Sequence, residues 1–187
     1  MALKRLLDFL LALLLLVPAL LVMGILAVLI RLDSPGPVIF AQRRTGRDNR
    51  LFTMYKLRTM RVGTPQLATH LIDHTQYRTR IGGFLRKSSL DELPNILNIL
   101  KGEMSFVGPR PALYNQDDLI AMRTMAGVHR FPPGLTGWAQ INGRDELANE
   151  EKVALDRWYC EHWSLALDLR IILRTAAAVV KAAGVHG

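Results

Sequence analysis

The hydrophobic positions of this chain fall into one long block followed by short periodic segments. Phe9 to Ile30 runs for 22 residues without a charge, preceded by Lys4, Arg5 and Asp8 and followed by Arg31. At about 1.5 Å per residue, a helix of that length matches a hydrocarbon core of roughly 30 Å. A cleaved signal peptide fits less well, because the run is too long and Arg31-Leu32-Asp33 stands where a small-residue cleavage site is needed. Pro18 lies near the middle, lacks an N–H and presses on the Leu14 carbonyl, so a kink is expected there. Positive charge flanks both ends, and Arg43, Arg44, Arg47 and Arg50 follow soon after, which draws both flanks to the cytoplasmic side. A helix that dips in, bends at Pro18 and returns satisfies both observations. A straight span is the alternative, since proline is tolerated in membrane helices.

Beyond the block, Asp33-Ser-Pro-Gly-Pro37 breaks the helix. Val38–Gln42 and Leu51–Tyr55 read as two short strands joined by the basic loop Arg43 to Arg50. Gly82 to Lys87 leads into a helix over Asp91–Lys101, where Leu93, Ile96, Leu97 and Leu100 recur at helical spacing and Gly102 stops it. Met104–Val107 is expected as a strand, and Gly108-Pro-Arg-Pro111 as an extended turn, because two prolines exclude helix. Further helices are expected over Ala112–Met125, Glu146–Trp163 and Asp168–Ala183. In the last, Arg170, Arg174 and Lys181 share a stripe opposite Ile172, Ala176, Val179 and Ala183. That pattern suits a helix lying in a membrane interface, and equally a helix packed on a core with one solvated face.

A formal net charge of +8 over 187 residues implies partners with negative charge. Anionic lipid and phosphorylated small molecules qualify; nucleic acid is disfavoured, because no nucleic-acid motif accompanies the basic residues. The single cysteine, Cys160, excludes an internal disulfide and any Cys-based zinc site. No dinucleotide fingerprint, P-loop or Gly-x-Ser-x-Gly elbow is present. His70 and His74, with Asp73 beside them, have helical metal-ligand spacing but lack the glutamate of a metalloprotease motif.

Asp91-Glu92 is the pair with chemical promise. Adjacent carboxylates on a helix point in different directions, so one can attack while the other holds metal or a proton. Asp91 at a helix mouth would be favoured in its ionised form, and the same mouth suits a phosphate. The competing reading is structural: Ser88-Ser89-Leu90-Asp91-Glu92 before an apolar run matches a capping box. Pro94 argues against Ser89 as the cap, since it would then fall where its ring clashes with the preceding turn. Lys56, Arg58, Arg86, Lys87, Lys101, Arg110 and Arg144 sit in or beside short motifs, and Arg110 is stiffened between two prolines for bidentate phosphate binding.

Six ordered motifs carry a resemblance. They are Lys4-Arg5-Leu-Leu-Asp8, Tyr55-Lys-Leu-Arg-Thr-Met60, Ser89-Leu-Asp-Glu-Leu-Pro-Asn95, Leu100-Lys-Gly-Glu-Met-Ser-Phe-Val-Gly-Pro-Arg-Pro111, Pro133-Gly-Leu-Thr-Gly-Trp-Ala-Gln140 and Asn142-Gly-Arg144. In this order the chain resembles the bacterial sugar transferases, specifically the small monotopic phosphoglycosyl transferases. The resemblance implies an α/β, helix-rich catalytic domain with a small mixed sheet (residues 32–187), amphipathic interfacial helices and an N-terminal re-entrant membrane helix (residues 1–31). It implies transfer of a sugar-1-phosphate from a UDP-sugar to polyprenyl (undecaprenyl) phosphate with release of UMP. Asp91 would be the nucleophile of a covalent phospho-sugar intermediate and Glu92 the Mg²⁺ ligand. Lys56, Arg58, Arg86, Arg110 and Arg144 would bind phosphate or nucleotide, with Asp156 as a supporting carboxylate. It places the chain in membrane lipid at the cytoplasmic face of the bacterial inner membrane, as a minimal catalytic form, and is compatible with a homodimer. A hydrolase of nucleotide or lipid diphosphates and a non-catalytic membrane anchor are the rival classes.

Overall fold

The computed structural model describes residues 1–65, 75–143 and 147–184. Its first element, α1 (Ala2–Asp33), is helical throughout, and the helix continues across Pro18. One narrow seam of α1 is buried: Lys4, Asp8, Ala12, Ala19, Leu26 and Ile30, with Leu16 and Met23 half-buried between them. The steps of three and four residues keep that seam on one side along the whole helix. The rest of the surface is leucine-rich and uncovered, Leu14 being 72% and Leu32 80% exposed.

Both ends of α1 are fastened to the same domain. Near its start, Lys4 Nζ donates to Asp168 Oδ2 (2.6 Å), the Phe106 N–H donates to Asp8 Oδ1 (3.2 Å), and the Arg5 guanidinium donates to the carbonyls of Ile99 and Leu100. At its end, the Ile81 N–H donates to Asp33 Oδ2 (3.1 Å), and Leu26 and Ile30 pack with Leu57 and Leu85.

The expected hairpin forms from β1 (Ile39–Thr45) and β2 (Leu51–Leu57), antiparallel and in register from Ile39 opposite Leu57 to Thr45 opposite Leu51. The strands extend into what reads as a basic loop, because Arg43 and Arg44 alternate across the sheet. Phe52 and Met54 face inward and meet Ala12, Ala19, Ile96, Ile99 and Met104 in the core beneath α1.

Then come α2 (Arg80–Ser88), a 3₁₀ turn over Leu90–Glu92, and α3 (Asn95–Lys101), closed by Gly102 in the left-handed region (φ 84°). The helix expected from Asp91 is thus split. Ser89 at φ 57° turns the chain sharply, and the regular helix begins only after Pro94, which takes the N-cap position, where its missing N–H costs no helical hydrogen bond.

Next, β3 (Ser105–Val107) pairs in parallel with β5 (Gly134–Thr136). Between them lie β4 (Ala112–Leu113) and α4 (Asp117–Met125). The helix expected from Ala112 starts later because Ala112 and Leu113, extended from Pro111, add to β1 opposite Thr45 and Arg44. The sheet order is β2-β1-β4.

The chain finishes with α5 (Trp138–Ile141), α6 (Asn149–Glu161) and α7 (Leu165–Gly184). Ser164 starts α7 three residues earlier than expected, its Oγ accepting from the Leu167 N–H (3.1 Å). The buried side of α7 follows the expected stripe only in part: Ile172 packs on the core and Arg170 and Arg174 are exposed, but the deepest positions are Leu167, Asp168 and Ile171, while Ala176 is exposed and Leu165, Leu169 and Leu173 stand exposed beside the arginines. Packing on Tyr159 and Val107 chose that side.

Candidate active site

Three local structures converge on the Asp91-Glu92 turn. Along β2, Lys56 lies on the same face as Phe52 and Met54, so the strand aims its ammonium toward the turn. Lys56 Nζ donates to Glu92 Oε1 at 2.6 Å, and both side chains are mostly buried. Arg110 Nη2 reaches the same oxygen at 3.4 Å. Arg86, in the last turn of α2, acts electrostatically on Asp91.

These contacts dispose of the capping-box reading. Ser89 makes no side-chain cap, and the Glu92 carboxylate, which a capping box would send back to the cap N–H, is held by Lys56 and Arg110.

The two carboxylates are tuned in opposite directions. For Asp91, burial is the dominant influence and outweighs the attraction of Lys56; together with the repulsion of Glu92 it lifts the carboxyl from 3.8 to about 6. Glu92 is buried too, but Lys56 and Arg110 together overcome that and hold it at about 2. Glu92 is therefore a fixed anion. Asp91 is a desolvated carboxylate, charged near neutrality, on which burial and Glu92 outweigh the attraction of Lys56, Arg86 and Arg110, a condition suited to nucleophilic attack. For Lys56 itself burial prevails, and its ammonium is held below the ordinary lysine value.

The Pro109-Arg110-Pro111 turn is fixed by its carbonyls. Pro109 O accepts from the Gly134 N–H (2.9 Å), Arg110 O from Arg123 Nη1 (2.6 Å), and Pro111 O from Arg44 Nη1 (3.0 Å). With φ set at both prolines and all three carbonyls bonded, the Arg110 side chain leaves a rigid platform. Gly134 must be glycine here, because a Cβ would run into the Gly108 backbone.

Asp156 is 1% exposed, and its Oδ2 accepts from Arg123 Nε (3.0 Å) and Nη2 (2.6 Å). It therefore reaches the site through Arg123 and the Arg110 carbonyl. Arg123 was not singled out in the sequence: a lone arginine on α4 carries no local signal of that role. Arg58 is drawn elsewhere. It donates to the carbonyls of Ser34 (2.6 Å) and Pro35 at the end of α1, and its charged neighbours are Arg31 and Asp33. Arg144, like His70, Asp73 and His74, lies outside the described residues.

Two further tests bear on chemistry. Both cations on Glu92 converge on Oε1, leaving Oε2 without a partner among the described residues. A hard carboxylate oxygen beside a second carboxylate is the donor set that Mg²⁺ takes when phosphates complete its shell, so the residues fit that ion. Cys160 is unsuited to attack, since burial and then Asp156 push its thiol up to about 12.

The chain is 41% identical over 186 residues to a Bacillus subtilis (strain 168) protein named as the uncharacterized sugar transferase EpsL, covering all of this chain and 91% of that protein. It is 45% identical over 165 residues to the UDP-glucose:undecaprenyl-phosphate glucose-1-phosphate transferase of Xanthomonas campestris pv. campestris, covering 83% of this chain and 34% of that protein. It is 37% identical over 164 residues to the UDP-N-acetylgalactosamine-undecaprenyl-phosphate N-acetylgalactosaminephosphotransferase of Aeromonas hydrophila, covering 84% of this chain and 39% of that protein. The chain thus spans nearly all of the first relative and between a third and two fifths of the other two. The family model described as bacterial sugar transferase matches residues 1–182, which takes in α1, the Asp91-Glu92 turn and the Pro-Arg-Pro platform together, and the chain belongs to the bacterial sugar transferase family.

Proposed function

We propose that this enzyme moves a sugar-1-phosphate from a UDP-sugar to polyprenyl (undecaprenyl) phosphate, releasing UMP, through a covalent intermediate on Asp91. The observation that carries the reading is the contrast between the two carboxylates: Glu92 locked as an anion by Lys56 and Arg110, Asp91 buried and raised to about 6. At pH 7 such a group is ionised by roughly ten to one, so the nucleophile is available without a separate base.

An Asp91 carboxylate oxygen forms a bond to the sugar-linked phosphorus while the bond from that phosphorus to the bridging oxygen breaks. UMP departs with the electron pair. A phosphate oxygen of the polyprenyl phosphate then attacks the same phosphorus, and Asp91 leaves as a carboxylate. Lys56, Arg86 and Arg110 bind and orient the diphosphate. Glu92 Oε2 would hold Mg²⁺, which when bound supplies neutralising charge to the phosphates. Arg123 and Asp156 keep the Arg110 platform in place.

The membrane reading follows from α1. A 32-residue helix is about 48 Å long, yet it packs on one domain from Lys4 to Ile30. Its two ends cannot reach opposite faces of a bilayer unless the charged domain enters too. We infer a monotopic attachment at the cytoplasmic face, with the uncovered leucines of α1 and Leu165, Leu169 and Leu173 of α7 in lipid. Each leucine moved from water into hydrocarbon contributes about 1.5–3 kcal/mol.

The test is incubation with a panel of UDP-sugars without lipid acceptor. A mass increase of one phospho-sugar on the peptide containing Asp91, with about one equivalent of UMP, is expected; polyprenyl phosphate should then make UMP release continuous. Continuous release without lipid would make the protein a hydrolase. Near-normal turnover of Asp91→Asn would end the nucleophile assignment.

A further inference from the structure

A cavity of about 160 Å³ lies between the start of α1, the strand β3 and the start of α7. Leu7 and Leu11 of α1, Phe106 of β3, and Leu165, Leu169 and Ile172 of α7 give it an apolar wall. Lys4, Asp8 and Asp168 also border it, and each already has a partner. Lys4 Nζ donates to Asp168 Oδ2 (2.6 Å), the Tyr159 O–H to Asp168 Oδ1 (2.7 Å), and the Phe106 N–H to Asp8 Oδ1 (3.2 Å). An occupant therefore meets shape and hydrocarbon rather than groups in need of hydrogen bonds. An apolar cavity of about 150 Å³ stays dry and takes a molecule the size of benzene, so this one has room for a short branched hydrocarbon segment.

The cavity opens toward the surface read as lying in lipid. Leu7, Leu11, Leu165 and Leu169 belong both to its wall and to the uncovered leucine surface, Leu169 being 58% exposed. It also lies within reach of the chemistry. From Phe106 to Arg110 the chain spans at most about 14 Å, and Arg110 Nη2 contacts Glu92. A lipid with its phosphate at Arg110 can therefore lay part of its chain in the cavity.

We propose that this cavity is a prenyl-chain subsite, which holds one methyl-branched isoprene unit of the lipid acceptor. This rests on the reading of the acceptor as polyprenyl phosphate. A phosphate is common to many membrane lipids, and a helix surface of leucines packs against any hydrocarbon alike. A prenyl chain differs from a straight acyl chain in its regular methyl branches, which a cavity reads by volume and a smooth surface does not.

Turnover of the full-length chain in lipid nanodiscs tests this with undecaprenyl phosphate and a straight-chain alkyl phosphate of matched length. KM should be at least about tenfold lower for the prenyl acceptor, the discrimination that one added carbon supplies in an apolar pocket. Leu11→Trp and Leu169→Trp fill the cavity from two different helices. Each should raise KM for undecaprenyl phosphate about tenfold and bring the two acceptors level. The burst of UMP formed from UDP-sugar without acceptor should keep its wild-type size and rate, which also shows that the variants are folded. Equal KM for the two acceptors in the wild-type protein would overturn the assignment without recourse to a variant, as would wild-type KM and acceptor preference in both variants. Loss of co-purifying phospholipid from both variants, with the acceptor KM unchanged, would overturn it in favour of a bilayer lipid. A UMP burst in the wild-type protein with no transfer to either acceptor would overturn the polyprenyl phosphate reading as well. Chain-selective turnover without a covalent adduct on Asp91 would leave the subsite standing and remove only the mechanism.

Discussion

Asp91→Asn should abolish activity and make the protein more stable, and the stabilisation should depend on pH. The carboxyl titrates at about 6 in the folded protein and at 3.8 when free of the fold. The folded state therefore binds more protons than the unfolded state between these values, and stability falls as pH rises through that window. A difference of about two pH units corresponds to about 3 kcal/mol at roughly 1.36 kcal/mol per unit, an upper limit on what ionised Asp91 costs. Asparagine keeps the shape and does not titrate. The variant should match wild type near pH 4, gain through pH 4–6, and hold a constant advantage above. For a chain of this size that is a Tm increase of about 5–10 °C at pH 7.5. Thermal melts of both proteins in the same nanodisc, followed by circular dichroism from pH 4 to 8, measure it. A variant less stable than wild type at pH 7.5, or a difference that does not change with pH, would mean that Asp91 is a structural cap and would refute the argument.

Three other outcomes are expected. Lys56→Met removes the strongest attraction acting on Asp91, so the acid limb of the kcat/KM profile should move up from near pH 6 by about one pH unit, with rate partly recovered at higher pH; an unmoved limb would separate Lys56 from Asp91. Glu92→Gln should cut turnover steeply and regain part of it at high Mg²⁺, whereas full activity at low Mg²⁺ would exclude Glu92 as a ligand. Cysteines at Ala2 and Ser34, with Cys160 replaced by serine, should both resist a membrane-impermeant thiol reagent in intact cells; labelling at position 2 alone would indicate a true span.

Much of this molecule was legible because its signals are local. A 22-residue uncharged run, the alternation of Phe52 and Met54 in β2, Gly102 after α3 and two prolines around Arg110 each act within a few residues, where steric and hydrophobic rules operate without knowledge of the fold. The family was readable for a related reason: the motifs occur in a fixed order along nearly the whole chain. What stayed hidden depended on contacts between distant segments. Arg58 sits in a motif that suggested phosphate, yet its position at the end of α1 gives it the Ser34 and Pro35 carbonyls instead. Arg123 gained its role only when α4 brought it between Asp156, 33 residues away, and the Arg110 carbonyl.

The sequence by itself determined that the chain has an apolar anchor, a basic domain and an adjacent carboxylate pair, since these are properties of neighbouring residues. Which carboxylate is held as an anion and which is lifted towards neutrality was decided by tertiary structure. Asp91 and Glu92 are adjacent in the chain and similar in chemistry, and they differ because the fold sets Lys56 and Arg110 against Glu92 while burying Asp91 with less compensation. The side of α7 that faces the core was likewise settled by packing on Tyr159 and Val107, not by its own periodicity. Desolvation and charge pairing depend on distances through space, and those distances exist only once the chain has folded.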